Sequence, residues 1–271
     1  MLVTLSLSSL LLCAVATILF YVGIIGKQPQ SLQKKAICCL AVSFLLLSLL
    51  LCVNFIRDMN IFVLRSWYLI PLCWFLLLIS FLVYYKLRYT TVFVFVAPLC
   101  FILLLSALIF LHQEKPMEHL VIGPFLVVHL FLIFAGIGIM GVSAGAGALF
   151  LWQENMLKNR TKLVNLPKNI PSLGALDKVI HHATRIGFPL YAVGLLFGFI
   201  WAYMVWGRIF SFDPKEIISL LILALYGFLF YEREVHGTNG RKTAKLALLV
   251  FAITLFSIFV VNVFLPTHHG F

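Results

Sequence analysis

The chain of 271 residues is 63% hydrophobic and only 11% charged, with a formal net charge of +11 at pH 7. Its mean hydropathy of +1.09 excludes a soluble domain, because such a chain would not stay dispersed in water. The composition therefore predicts a polytopic membrane protein.

About eight apolar runs have the length that an α-helix needs to cross a hydrocarbon core of ~30 Å. They lie near residues 2–25, 36–56, 66–85, 91–111, 126–151, 187–206, 214–231 and 245–265. The polar segment from Gln153 to Arg185 is predicted to be a loop, with a short surface helix over 172–185. The sequence thus predicts an all-α polytopic membrane helix bundle that forms a single membrane domain over residues 1–271.

The basic residues predict how this bundle is oriented. Alternate loops hold 15 and 5 of the 20 Lys and Arg residues, and cytoplasmic loops are the ones enriched in these residues. Both termini are therefore expected outside. The positive charge then marks the inner face, where it can contact the headgroups of membrane lipids, and nucleic acid is not a predicted partner.

The fifth predicted helix is rich in small residues. Gly141 and Gly145 have the spacing that lets another helix backbone come close. Tight helix packing is one interpretation of this surface, and a flat face for a planar ligand is the other.

Histidines are the candidate ligands for a metal ion, because the predicted spans contain few other ionisable groups. His129, His268 and His269 fall on the predicted outer face together with the loop between helices six and seven, whereas His181 and His182 fall inside. A solvated or hydrogen-bonded histidine at a membrane interface is the ordinary interpretation of each one. Two imidazoles beside an aromatic loop also have the chemistry of a haem iron site.

The stretch that joins helices six and seven reads GFIWAYMVWGRIFSFDPKEI from Gly198 to Ile217. Tryptophans alone would indicate an aromatic belt at the membrane interface. Asp213, Pro214 and Glu216 predict the start of helix seven, with Asp213 as its N-cap. This capping pattern leaves Gly207, Arg208 and the aromatic residues before it without an explanation.

Trp201-Ala202 and Trp206-Gly207, followed by Phe210-Ser211-Phe212-Asp213-Pro214-Lys215-Glu216, resemble the tryptophan-rich loop (WWD motif) of the cytochrome c assembly family. The family pattern is approximately W-A-x-x-x-W-G-x-x-W-x-W-D-P-K-E, and Phe210 and Phe212 occupy its last two tryptophan positions. The resemblance covers residues 125–271, including His129 and the closing Leu265-Pro266-Thr267-His268-His269. Small size and the predicted eight helices are most similar to the HemX and YpjD branch of the family. Tyr231 occupies a position where larger members carry a transmembrane histidine.

The resemblance implies a haem-binding membrane protein that holds haem b near the outer face, with His129 and His269 as iron ligands. His268 is the alternative to His269. The residues implied to contact the cofactor are Trp201, Trp206, Gly207, Arg208, Phe210, Phe212, Asp213 and Lys215. Its expected location is the bacterial cytoplasmic (inner) membrane, which it crosses several times.

Two other functions stay open from the sequence. The chain could regulate or scaffold a tetrapyrrole-synthesis enzyme through its basic cytoplasmic loop, or it could transfer electrons across the membrane between two haems. In the second case His182 and His181 are the candidate ligands of the second haem. The predicted partners are haem, membrane lipids, and either cytochrome c assembly partners or that enzyme, and none of these functions requires an enzyme active site.

Overall fold

A computed structural model describes residues 2–25, 29–57, 68–88, 90, 92–110, 123–158, 171–210 and 212–261. Over these ranges the backbone is helical apart from short turns, and no strand occurs in them. Eight helices in this part of the chain are long and apolar enough to cross a membrane. The predicted all-α polytopic architecture is therefore confirmed, while the outside location of the termini stays a prediction.

The described helices are numbered in the order in which they follow along the chain. They are α1 Leu2–Ile25, α2 Pro29–Arg57, α3 Leu69–Leu87, α4 Val92–Phe110, α5 Pro124–Lys158, α6 Leu173–Trp206, α7 Pro214–Glu234 and α8 Arg241–Phe256, followed by a π-helical turn at Ser257–Val261. Several hydroxyl side chains inside them bond back to their own helix; for example, Ser48 donates to the carbonyl oxygen of Phe44 at 2.8 Å. Such local bonds satisfy polar groups where water is excluded.

The described chain divides into two compact units. The first comprises Met1–Pro116 and Gln153–Ser172 and contains α1 to α4. Polar contacts join its helices: Ser43 Oγ lies 3.4 Å from Cys13 Sγ, and the indole nitrogen of Trp74 donates to Ser48 at 2.7 Å. Phe44 stacks on Trp74 with ring centroids 5.4 Å apart, so aromatic packing accompanies these bonds.

The second unit comprises Met117–Trp152 and Leu173–Phe271, and its core is formed by α5 to α8. Small residues bring its backbones together, since a Cβ atom on Gly147 would lie 2.9 Å from the carbonyl oxygen of Ala244. The tight packing predicted for the fifth helix is thus present at this position. Thr254 on α8 also contacts Met140 on α5, with Oγ1 3.3 Å from Sδ.

Helix α6 differs from the prediction of a separate surface helix over 172–185 and a span that begins near residue 187. It is continuous from Leu173 to Trp206 and includes Pro189. A proline inside a helix removes one backbone hydrogen bond, yet α6 continues through Pro189. Its 34 residues correspond to about 51 Å, so part of α6 extends beyond a hydrocarbon core of ~30 Å.

Candidate functional site

His129 lies in the second turn of α5, and its imidazole contacts α6. The Nδ1 atom is 2.7 Å from the carbonyl oxygen of Gly194. A carbonyl oxygen only accepts hydrogen bonds, so the proton of the neutral imidazole resides on Nδ1. The second ring nitrogen, Nε2, then carries the lone pair with which an imidazole binds a metal ion.

Gly198 lies one turn beyond Gly194 on α6, and the ring of His129 rests on its backbone. A Cβ atom at Gly198 would lie 2.6 Å from both Nδ1 and Cε1 of the imidazole, which is closer than real Cβ contacts come. The missing side chain is therefore what allows the half-buried imidazole to reach the Gly194 carbonyl.

The same helix carries the first two aromatic residues of the predicted cofactor surface. From Gly198 to Trp206, α6 is uninterrupted, a length of about 12 Å. Trp201 and Trp206 pack edge to face with ring centroids 5.0 Å apart and an interplanar angle of 75°. One rigid element thus orients the imidazole and positions both indole rings.

Helix α6 ends at a glycine with a left-handed backbone. Gly207 has φ of +69°, and its N–H donates to the carbonyl oxygen of Tyr203 at 2.9 Å. This is the conformation in which helices commonly end and which glycine adopts at no steric cost. The chain then enters the aromatic loop, defined as residues 207–213.

Two phenylalanines form the second part of the predicted aromatic surface. Phe210 and Phe212 pack edge to face with ring centroids 4.8 Å apart. Phe212 has φ of +57°, which is unfavourable for a bulky residue, and 77% of it is exposed. An exposed aromatic ring on a strained backbone is a feature of binding loops, and the sequence pattern gave no indication of the strain.

Asp213 closes the loop and begins α7. Its carboxylate accepts a hydrogen bond from the backbone N–H of Lys215 at 3.0 Å, and Pro214 occupies the first helical position. The predicted N-cap is confirmed. Asp213 is almost fully buried, so the end of the aromatic loop is anchored in the interior of the unit.

Basic residues flank the aromatic loop on both sides. Arg208 is exposed within the loop, and Lys215 is half-buried in the first turn of α7. Either side chain has the charge that pairs with a ligand carboxylate.

The remaining predicted histidines do not join this group. His181 and His182 lie near the start of α6, and 16 residues separate His182 from Gly198 along the helix, which is about 24 Å. His181 Nδ1 lies 3.6 Å from a carboxylate oxygen of Glu234. His268 and His269 lie outside the described residues. Within the described ranges, no group of three or more His, Cys, Asp or Glu side chains could hold a metal ion.

An ion pair between the half-buried Asp177 on α6 and the buried Arg233 on α7 joins these two helices, and charge counting did not reveal it. Arg233 contacts both carboxylate oxygens of Asp177, at 2.8 and 3.2 Å. The same guanidinium donates to Thr243 Oγ1 at 3.0 Å, and the N–H of Gly240 donates to Asp177 at 2.8 Å. Together, these hydrogen bonds hold the turn between α7 and α8 against the start of α6.

A second carboxylate braces the same turn. Glu232 accepts hydrogen bonds from Lys242 Nζ at 2.7 Å and from Thr238 Oγ1 at 2.8 Å. These bonds connect the last turn of α7 to Thr238 in the α7–α8 turn and to Lys242 in the first turn of α8. We interpret the bonds of Arg233 and Glu232 as structural: they stabilise the α7–α8 turn, near the part of α6 that carries His181.

Comparison with known families gives a match along almost the whole chain. The family model described as "Cytochrome C assembly protein" matches residues 2–269. This match includes every described helix of both units and the aromatic loop.

Individual relatives match over shorter stretches. Protein HemX of Brevibacillus brevis is 28% identical over 145 residues, which are 52% of this chain and 53% of that protein. Cytochrome c biogenesis protein CcsA of Crocosphaera subtropica is 30% identical over 111 residues, 41% of this chain and 33% of that protein. The CcsA of Pyropia yezoensis is 34% identical over 101 residues, 37% of this chain and 30% of that protein. The matches thus span about half of the HemX relative and about a third of the CcsA relatives.

Proposed function

The chain belongs to the cytochrome c assembly protein family, and from this premise we propose that it binds haem b through His129 beside the aromatic loop. The observation that carries the proposal is the contact between His129 Nδ1 and the Gly194 carbonyl oxygen, at 2.7 Å. In metal sites a histidine commonly donates its other N–H to a carbonyl or carboxylate, which fixes the ring and raises the basicity of the ligating nitrogen. His129 has this arrangement, although the described residues around it include no group of three or more metal-ligating side chains.

The chemistry of the surrounding residues fits a porphyrin. Trp201, Trp206, Phe210 and Phe212 would supply apolar ring surface to the macrocycle. Arg208 and Lys215 would pair with its propionates. Gly207 would let the chain turn next to the porphyrin without a side chain in the way. When bound, haem would supply an iron that changes its redox state or its axial ligand.

A second iron ligand is proposed from the end of the chain. His269, or His268 as its neighbour, would bind the face of the porphyrin opposite His129. The location that goes with this proposal is the bacterial cytoplasmic membrane, with the aromatic loop on its outer side.

Haem titration of the purified protein tests the proposal. We expect one haem per chain and a low-spin Soret spectrum, and we expect His129→Ala to lower the affinity at least tenfold. His236→Ala is the matched control, because His236 is exposed at the α7–α8 turn. A wild-type protein that stays colourless after titration would rule the function out.

The two alternative functions stay predictions. A regulatory role would use the basic segment from 153 to 185, part of which lies outside the described residues. Electron transfer between two haems would require His181 or His182 as a ligand, and a measured ratio of two haems per chain would favour it over the single site proposed here.

A further inference from the structure

Helices α5 and α6 pack antiparallel along a seam with a regular register. The pairs in contact across this seam are His129 with Gly198, Ile133 with Gly194, Gly136 with Tyr191, and Ile139 with Gly187. Each step of three or four residues along α5 is matched by a step of three or four in the reverse direction along α6. One further step brings Ser143 to the level of Thr184.

Ser143 and Thr184 are both buried polar residues without a protein partner. Their exposed fractions are 1% and 0%, and neither hydroxyl has a hydrogen-bond partner among the described residues. Ser219 and Thr254 in the same unit behave differently, because each donates to the carbonyl oxygen four residues earlier, at 2.7 and 2.8 Å. The hydroxyls of Ser143 and Thr184 therefore do not use the bond that helical hydroxyls usually make.

A third hydroxyl lies within one helical turn of Thr184. Tyr226 on α7 is fully buried, and its hydroxyl occupies the space that a side chain at Gly187 would need. The carbonyl oxygen of Ala183 is 3.5 Å from the phenolic oxygen, which is long for an O–H···O bond. The phenol is therefore also incompletely satisfied by protein groups.

We propose that a water molecule binds on the α5–α6 seam between the hydroxyls of Ser143 and Thr184, with the Tyr226 phenol as a third partner. Leaving two buried hydroxyls without partners would cost about 1–3 kcal/mol each, and internal waters typically make about three hydrogen bonds to such groups. Water fits better than a metal ion because the three groups are neutral hydroxyls. The bound molecule would hold α5 and α6 in register, and the same register sets His129 against Gly194.

The substitution Thr184→Val tests this water site, since valine has almost the same shape and removes only the hydroxyl. If water joins the hydroxyls, the substitution lowers the Tm by about 2–4 °C. If Thr184 is unsatisfied, its removal raises the Tm or leaves it unchanged, and that result overturns the proposal. Ser219→Ala serves as the control for loss of an ordinary back-bonded hydroxyl.

A double-mutant cycle separates a shared water from two independent effects. Ser143→Ala and Thr184→Val should together lower the Tm by clearly less than the sum of the single changes, because one water serves both residues. Additive changes would overturn the proposal. A cryo-EM map of the wild-type protein at a resolution that shows waters gives a reading independent of the variants: density between the two hydroxyls supports the site, and its absence overturns it.

Discussion

The imidazole of His129 lies directly on the backbone of Gly198, so that any side chain at Gly198 would occupy the position of the ring. A Cβ atom there would be 2.6 Å from two atoms of the imidazole. Since α6 also carries Trp201 and Trp206, this contact ties the orientation of the proposed iron ligand to the helix that positions the first two aromatic residues.

Gly198→Ala should therefore displace His129 and weaken haem binding at least tenfold, equivalent to about 1.4 kcal/mol. Haem titration followed at the Soret band measures this loss. Gly174→Ala is the matched control on the same helix, because a Cβ at Gly174 meets nothing within 4 Å. Equal affinities for the two variants would contradict the proposed orientation of His129.

Trp206→Ala should reduce haem retention through loss of aromatic contact surface. Trp206 ends α6 and packs on Trp201. Its removal takes one aromatic ring from the proposed site and leaves the Trp201 ring without this packing contact. We expect roughly tenfold weaker binding, since an aromatic contact is worth about 0.5–1.5 kcal/mol beyond its buried area.

Trp152→Ala provides the comparison for a tryptophan on α5 that has no proposed role in binding. Trp152 is 43% exposed on α5. The Trp152→Ala variant should therefore retain haem as the wild type does. The same loss in both variants, measured as haem content after gel filtration, would indicate a general aromatic belt instead of a binding surface.

The residue types alone predicted the start of α7 at this site but not the left-handed backbone of Phe212. Asp213 followed by Pro214 indicates a helix start in any context, because the carboxylate can accept an N–H of the first turn. The contact between His129 and Gly194 depends instead on the register between α5 and α6, which no local pattern specifies. The sequence could identify His129 by its predicted location beside the aromatic loop and by its resemblance to a family position, but not by its contact with α6.

Charges were the least informative part of the sequence. Arg233 was counted in the positive charge of the predicted inner face, yet 94% of its surface is buried and its guanidinium contacts Asp177. Orientation rules count basic residues without regard to burial. The continuous α6 was missed because the polar residues up to Arg185 predicted a loop with a separate surface helix, whereas the helix continues from Leu173 through them into the apolar span.

Asp177→Ala should destabilise the protein on the order of 3 kcal/mol, because it leaves the buried guanidinium of Arg233 without its carboxylate. Thermal unfolding of the purified protein measures the effect. Glu234→Ala is the control, since Glu234 makes only longer contacts, at 3.6 Å with His181 and 4.0 Å with Arg185. Exposed pairs of this kind contribute about 0–1 kcal/mol, and a loss as small for Asp177→Ala would refute a structural role for the pair.

The axial ligands of the proposed haem can be identified by single substitutions and rescue. His129 would offer Nε2 to the iron if Nδ1 donates to the Gly194 carbonyl oxygen, and the other ligand is predicted to be His269 or His268. His129→Ala and the variant that removes the true C-terminal ligand should each leave five-coordinate iron, shift the spectrum towards high spin, and recover with added imidazole. The neighbouring histidine serves as the matched control, because only one of the two is expected to bind and the other should leave the spectrum unchanged. Unaltered low-spin spectra in His129→Ala and in the double substitution at 268 and 269 would exclude this ligand pair.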